Sequence, residues 1–223
     1  PDRGMILPSD FIPIAEETNL IIEIGEWVLD KVCEDFRLWQ RSAADPGRVS
    51  VNLSLKQLRQ PNFTKRIGAI MRGHEVSPTS LELEITETTL MEDTKRTIKL
   101  LDQLYALGLH LAIDDFGTGY SSLSALQQFP ISTLKIDKSF VRDVATNPDD
   151  ATIVGTIVQM GRNLNMDVVA EGVENEYQLN FLQRLECTYV QGLLFGDPMS
   201  AENYLELLVA QADGTDSYRA LFA

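Results

Sequence analysis

The chain has 223 residues, 44% of them hydrophobic, and a formal net charge of −14. That length supports one sizeable core, as a barrel domain needs. The charge argues against a broad basic surface for duplex nucleic acid, and no apolar run approaches the length of a membrane span.

Cys33 and Cys187 lie far apart and match no metal spacing, so they read as reduced thiols of a cytosolic protein. No basic, then apolar, then small-residue leader is present. The reading is a cytoplasmic segment with no membrane contact of its own, any attachment being supplied by regions outside this chain.

In chain order, PDRGMILPSDFIP carries Pro1, Pro8 and Pro13 and reads as a loop, as though the chain began inside a domain. Residues 23–40 then bring Ile24, Trp27, Val28, Val32 and Phe36 near one face of an amphipathic helix. Strands are predicted at 49–54, 81–87, 110–116, 133–137, 167–173 and 189–196. Helices are predicted at 63–73, 92–108, near 121–129, and at 150–165, 174–186 and 200–211; the helix after Gln40 ends at Gly73, and the 92–108 helix closes on Gly108. Residues 212–223 read as a polar tail.

Strands alternating with helices imply a parallel sheet covered by helices. No Gly-x-Gly-x-x-Gly turn follows the first strand, which disfavours a dinucleotide-binding sheet; an open doubly wound sheet stays possible. The strands favour a barrel. In LELEIT, Leu81, Leu83 and Ile85 share one face while Glu82, Glu84 and Thr86 share the other. VSVNLS and TLKID divide in the same way. An apolar outside and a polar inside is the pattern of a closed parallel barrel, whose active sites lie at the C-terminal strand ends.

The polar residues at those ends are Asn52, Glu84, Asp114, Asp115, Lys135, Asp137, Glu171 and Gln191, spread over six consecutive strands. Asn52, Glu84, Asp114 and Asp115 are hard oxygen donors suited to Mg²⁺ or Mn²⁺. Without metal, such acids would repel and raise one another's pKa; two ions about 3.5–4 Å apart would bind a phosphodiester and activate water. Lys135 is the single cation of the set and could stabilise charge on phosphate, and Glu171 is a candidate general base. Taken singly these residues have plainer readings: Lys135 and Asp137 as an ion pair, Glu171 and Glu174 as helix-start acids, Glu82 as a solvated or helix-facing acid. His74 and His110 read as structural or surface residues.

FIPIAEETNLI, VNLS, LELEITET, AIDDFGTGYSSL, LKIDKSFV, VVAEGVE and QGLLFGDP occur in that order. With them the chain, from Pro1 to about Ala210, resembles the EAL family of bacterial cyclic di-GMP phosphodiesterases. The resemblance implies a modified TIM barrel over residues 1–211. It implies hydrolysis of cyclic di-GMP to linear pGpG through a metal-activated water, with two Mg²⁺ or Mn²⁺ ions and inhibition by Ca²⁺. By motif match Asn52, Glu84, Asp114 and Asp115 are metal ligands, Lys135 and Glu171 are catalytic, and Asp137 and Gln191 are metal-proximal. Glu87 anchors a mobile loop of Phe116, Gly117, Thr118, Gly119, Tyr120, Ser121 and Ser122.

The family's eponymous Glu-Ala-Leu motif would lie just before PDRGMILP, so this chain reads as an incomplete barrel lacking the first two of eight strands and one metal-ligand glutamate. The family further implies a homodimer and upstream sensor or GGDEF domains. Two other functions fit less well: a non-catalytic cyclic di-GMP receptor, which would typically lose metal ligands or the DFGTGYSSL loop, and an unrelated metal-dependent barrel acting on an enolate.

Overall fold

The computed structural model describes residues 4, 6–42, 46–91, 93–119 and 123–212. Six strands form one sheet in chain order: β1 (Val49–Asn52), β2 (Leu81–Thr86), β3 (His110–Phe116), β4 (Thr133–Ile136), β5 (Asp167–Ala170) and β6 (Tyr189–Val190). Every pairing is parallel. Among the described residues β1 and β6 each pair on one side only, so the wall is an open, incomplete barrel.

Eleven described helices accompany it: α1 (Pro8–Glu17), α2 (Leu20–Arg41), α3 (Leu55–Leu58), α4 (Phe63–Gly73), α5 (Glu87–Met91), α6 (Thr94–Ala106), α7 (Leu123–Leu126), α8 (Lys138–Arg142), α9 (Pro148–Leu164), α10 (Glu176–Arg184) and α11 (Ala201–Ala212). No described helix is long and apolar enough to cross a membrane. The core lies between the helices and the outer face of the wall, where Leu81, Leu83, Ile85, Leu111, Ile113, Leu134 and Ile136 are fully buried. Burying side chains of this size contributes roughly 1.5–3 kcal/mol each.

Two expectations fail. From Pro8 onward the N-terminal proline-rich segment is helical rather than a loop, because α1 starts at Pro8. Pro8 occupies the first turn, where its missing N–H costs nothing, and the helix continues around Pro13. The buried stripe of α2 is Ile21, Gly25, Leu29, Cys33, Phe36 and Trp39; of the predicted face Phe36 is buried and Val28 and Val32 pack against the core, but Trp27 is 66% exposed. Small residues decide this. The amide of Gln57 packs where a side chain at position 25 would sit, so the face carrying Gly25 and Cys33 approaches most closely.

β1, β2 and β4 stop one or two residues short of the predicted ends because helix starts claim those residues, and β5 and β6 end earlier, at Ala170 and Val190. Ser54 caps α3, accepting a hydrogen bond from the Gln57 backbone in a reciprocal capping box. Asp137 caps α8, and Glu87 opens α5 directly from β2. Asn175 forms a second capping box with Gln178 at α10. Cys33 and Cys187 are free thiols.

Candidate active site

Each strand delivers its polar residue on the inner face, opposite the buried leucines and isoleucines. Lys135 of β4 is the centre. It is 4% exposed, and its ammonium lies 2.6 Å from Glu84 of β2, 2.6 Å from Glu171 just beyond β5, and 3.6 Å from Asp114 of β3. Burial presses the Lys135 pKa down, but Glu84 and Glu171 outweigh it and the net shift is upward, so the group stays charged. Lys135 therefore pairs with acids from three other strands rather than with its neighbour Asp137.

A parallel strand sends successive side chains to opposite faces, so adjacent Asp114 and Asp115 need a special backbone. Ile113 pairs with Leu134, and Phe116 with Ile136, so β3 carries one extra residue relative to β4. Asp115 takes up the excess with φ 53°. The bulge turns both carboxylates toward one point. Asp114, Asp115 and Glu171 each offer an oxygen there, all within 4.8 Å of one another.

Glu84 and Glu171 have raised pKa values, mainly because they are buried, with Lys135 opposing the shift in both. Asp115 is pushed up to about 6 by burial and by Asp114, Asp137 and Glu171. Asp137 moves the other way: burial would raise it, but hydrogen bonds from Ser139 hold it below the usual range. Three carboxylates on one ammonium, with Asp115 beside two of them, leave excess negative charge. Their oxygen-only donor set fits hard divalent cations such as Mg²⁺ or Mn²⁺.

The remaining predicted residues stand at the rim. Asn52 ends β1, exposed and in register with Glu84. Gln191 is exposed just beyond β6, with its backbone N–H donating to Ala170 and its carbonyl accepting from Val173. These two lie at the two edge strands. Glu87 is buried, and one carboxylate oxygen accepts from the backbone N–H groups of Gly117 (3.0 Å) and Gly119 (3.1 Å). Both glycines fit this close approach. Gly117 has φ +102°, and a Cβ on Gly119 would lie 2.8 Å from the Glu87 carboxyl carbon. Phe116 is buried and Thr118 exposed; Tyr120, Ser121 and Ser122 lie outside the described residues.

Glu82 corrects the sequence reading. It is neither solvated nor helix-facing, being 5% exposed on the inner face and bonded to Arg48, Ser50 and Thr133. The signal was present, since Glu82 shares its strand face with Glu84.

An incomplete parallel α/β barrel with acids and one lysine at the C-terminal strand ends defines a barrel domain with an acidic centre suited to divalent metal. Residues 1–198 match the EAL domain, and the chain belongs to that family. It is 46% identical over 205 residues to the bifunctional diguanylate cyclase/cyclic di-GMP phosphodiesterase MucR of Pseudomonas aeruginosa, covering 92% of this chain and 30% of MucR. It is 38% identical over 210 residues to the cyclic di-GMP phosphodiesterase NbdA of the same organism, covering 94% of this chain and 27% of NbdA. Among solved structures it resembles the MucR phosphodiesterase in complex with c-di-GMP. That match has a TM-score of 0.89 and 46% identity, and covers 92% of this chain and 83% of the other. The chain thus spans less than a third of the length of these curated relatives.

Proposed function

We propose that this domain hydrolyses cyclic di-GMP to linear pGpG. The observation that carries the reading is the convergence of Glu84, Asp114 and Glu171 on Lys135, with Asp115 beside Asp114 and Glu171. It occurs in a fold 46% identical to a phosphodiesterase solved with c-di-GMP.

Water attacks one phosphorus, the bond from phosphorus to the ribose 3′ oxygen breaks, and that oxygen leaves as the 3′ hydroxyl after taking up a proton. Glu171 is the group to accept the proton lost by water, since burial has already raised its proton affinity. Lys135, fixed by two carboxylates, donates to the water or to a phosphoryl oxygen and stabilises charge as it develops. Asp114, Asp115 and Glu84, with Asn52 at the rim, would hold divalent cations, and Gln191 and Asp137 would border them. Mg²⁺ or Mn²⁺ would supply charge neutralisation and Lewis acidity at this point. Glu87 holds the segment from Gly117 to Gly119 against the site and would couple its position to substrate.

The resemblance further proposes a homodimer, sensor or GGDEF domains elsewhere in the full protein, and a cytoplasmic location. The double activity in MucR's name is consistent with such an arrangement for that relative.

The test is an assay of cyclic di-GMP hydrolysis with Mg²⁺ or Mn²⁺, on this chain and on one extended at its N-terminus. We expect pGpG, and its loss in Glu171→Ala with an unchanged circular dichroism spectrum. Wild-type rates in that variant would overturn the role of Glu171. Retained binding with no turnover by the extended chain would instead identify a receptor.

A further inference from the structure

Directly below Lys135 lies a second polar layer that the proposed reaction does not use. Thr133 precedes Lys135 by two residues and Glu82 precedes Glu84 by two, so both pairs share the inner face. One Glu82 oxygen accepts from the Thr133 hydroxyl at 2.7 Å and from the Arg48 guanidinium at 3.1 Å. The other accepts from the Ser50 hydroxyl at 3.2 Å. One carboxylate thus joins β1 and β4 to β2, and to reach β4 it must pass over β3. The β3 residue in register with Thr133 is Ala112, fully buried, whose lone methyl leaves that space free.

A buried carboxylate is costly unless it is paired and hydrogen-bonded. A salt bridge of this kind is weak evidence for stability alone. What it does supply here is geometry. Glu84 and Lys135 sit on strands separated by β3, and no backbone ladder links β2 to β4 directly. Their 2.6 Å contact depends on how far apart those strands lie, and the Glu82–Thr133 bond sets that distance one layer lower.

We infer that Glu82 is a positioning residue, clamping β1, β2 and β4 beneath the site so that Glu84 meets Lys135. Its catalytic consequence rests on the phosphodiesterase reading, but its geometric content does not.

The test compares the wild-type chain with Glu82→Gln, Thr133→Val, Ser50→Ala and Ser50→Thr. A control, Ile85→Val, perturbs the apolar outer face of the same strand. Nitrogen-15 NMR of the Lys135 ammonium is the primary measurement, since a buried, doubly paired ammonium exchanges slowly with solvent. We expect that signal to be lost in Glu82→Gln, Thr133→Val and Ser50→Ala, and kept in Ser50→Thr and in the control. Mn²⁺ affinity by calorimetry should fall roughly tenfold in the first three. Should Glu82→Gln fail to fold, the Thr133 and Ser50 variants still decide the matter. A wild-type Lys135 signal in Thr133→Val and Ser50→Ala, with only a lowered melting temperature, would reduce Glu82 to a structural ion and overturn the inference. Absence of cyclic di-GMP turnover in the N-terminally extended chain would strike the functional reading while leaving the NMR comparison intact.

Discussion

Asp114 and Asp115 are consecutive in the chain, yet their carboxylates converge, because Asp115 adopts φ 53° at a one-residue bulge in β3. This backbone feature separates two roles of Asp115, one conformational and one electrostatic. Asn tolerates the left-handed region, whereas a β-branched residue does not. Asp115→Asn should therefore keep urea stability within about 0.5 kcal/mol of wild type while weakening Mn²⁺ binding. Asp115→Val should lose about 1–2 kcal/mol of stability. Equal urea midpoints for the two variants would show that the bulge places no demand on this residue.

Removing the central cation should be more damaging than removing any one acid. Lys135→Met leaves Glu84 and Glu171 facing each other in a buried site. Breaking a buried pair in this way costs about 3–5 kcal/mol, measurable by urea or thermal unfolding. Adding Glu84→Gln to the same chain should recover part of that loss. A double variant less stable than Lys135→Met alone would contradict the repulsion argument.

Divalent cations should stabilise the fold as well as support turnover. Calorimetric melting with Mn²⁺ at about 100 times its Kd should show a gain of about 2.7 kcal/mol, reversed by a chelator. Asp114→Asn should shrink the gain. Ca²⁺, with looser coordination, should raise the melting temperature yet inhibit hydrolysis; brisk turnover in Ca²⁺ alone would count against a geometry set by smaller ions.

The contact between Glu87 and the two glycine amides predicts a local effect. Glu87→Ala strips the acceptor from the N–H groups of Gly117 and Gly119. Hydrogen exchange at those two amides should accelerate, and kcat should drop about 10–100-fold. Gly119→Ala should act similarly, since its methyl would collide with the Glu87 carboxyl. Unchanged exchange at both amides in Glu87→Ala would show that the segment is held by something else.

Much of this was legible in the residues. Alternation in LELEIT and TLKID gave the inner and outer faces correctly, since a strand has only two sides and one of them had to be buried. The α1 helix was hidden behind its prolines, which look like loop markers but are tolerated in a first turn. Large apolar residues such as Trp27 dominate the helical pattern of α2 without marking its most buried face. Close packing instead favoured the stripe with Gly25 and Cys33. Glu82 was underrated for a related reason: an acid is assumed to seek water unless its partners are visible, and Thr133 lies 51 residues away.

The sequence by itself determined the repeating strand and helix, the inner polar set and the resemblance to the EAL family, because these follow from local periodicity and from motifs of contiguous residues. Tertiary structure decided which charges touch. Lys135 chose Glu84 and Glu171 over its near neighbour Asp137, the bulge brought Asp115 round beside Asp114, and Glu82 found Ser50, Arg48 and Thr133. Each outcome depends on how strands distant in sequence are spaced and in register, which no local pattern encodes.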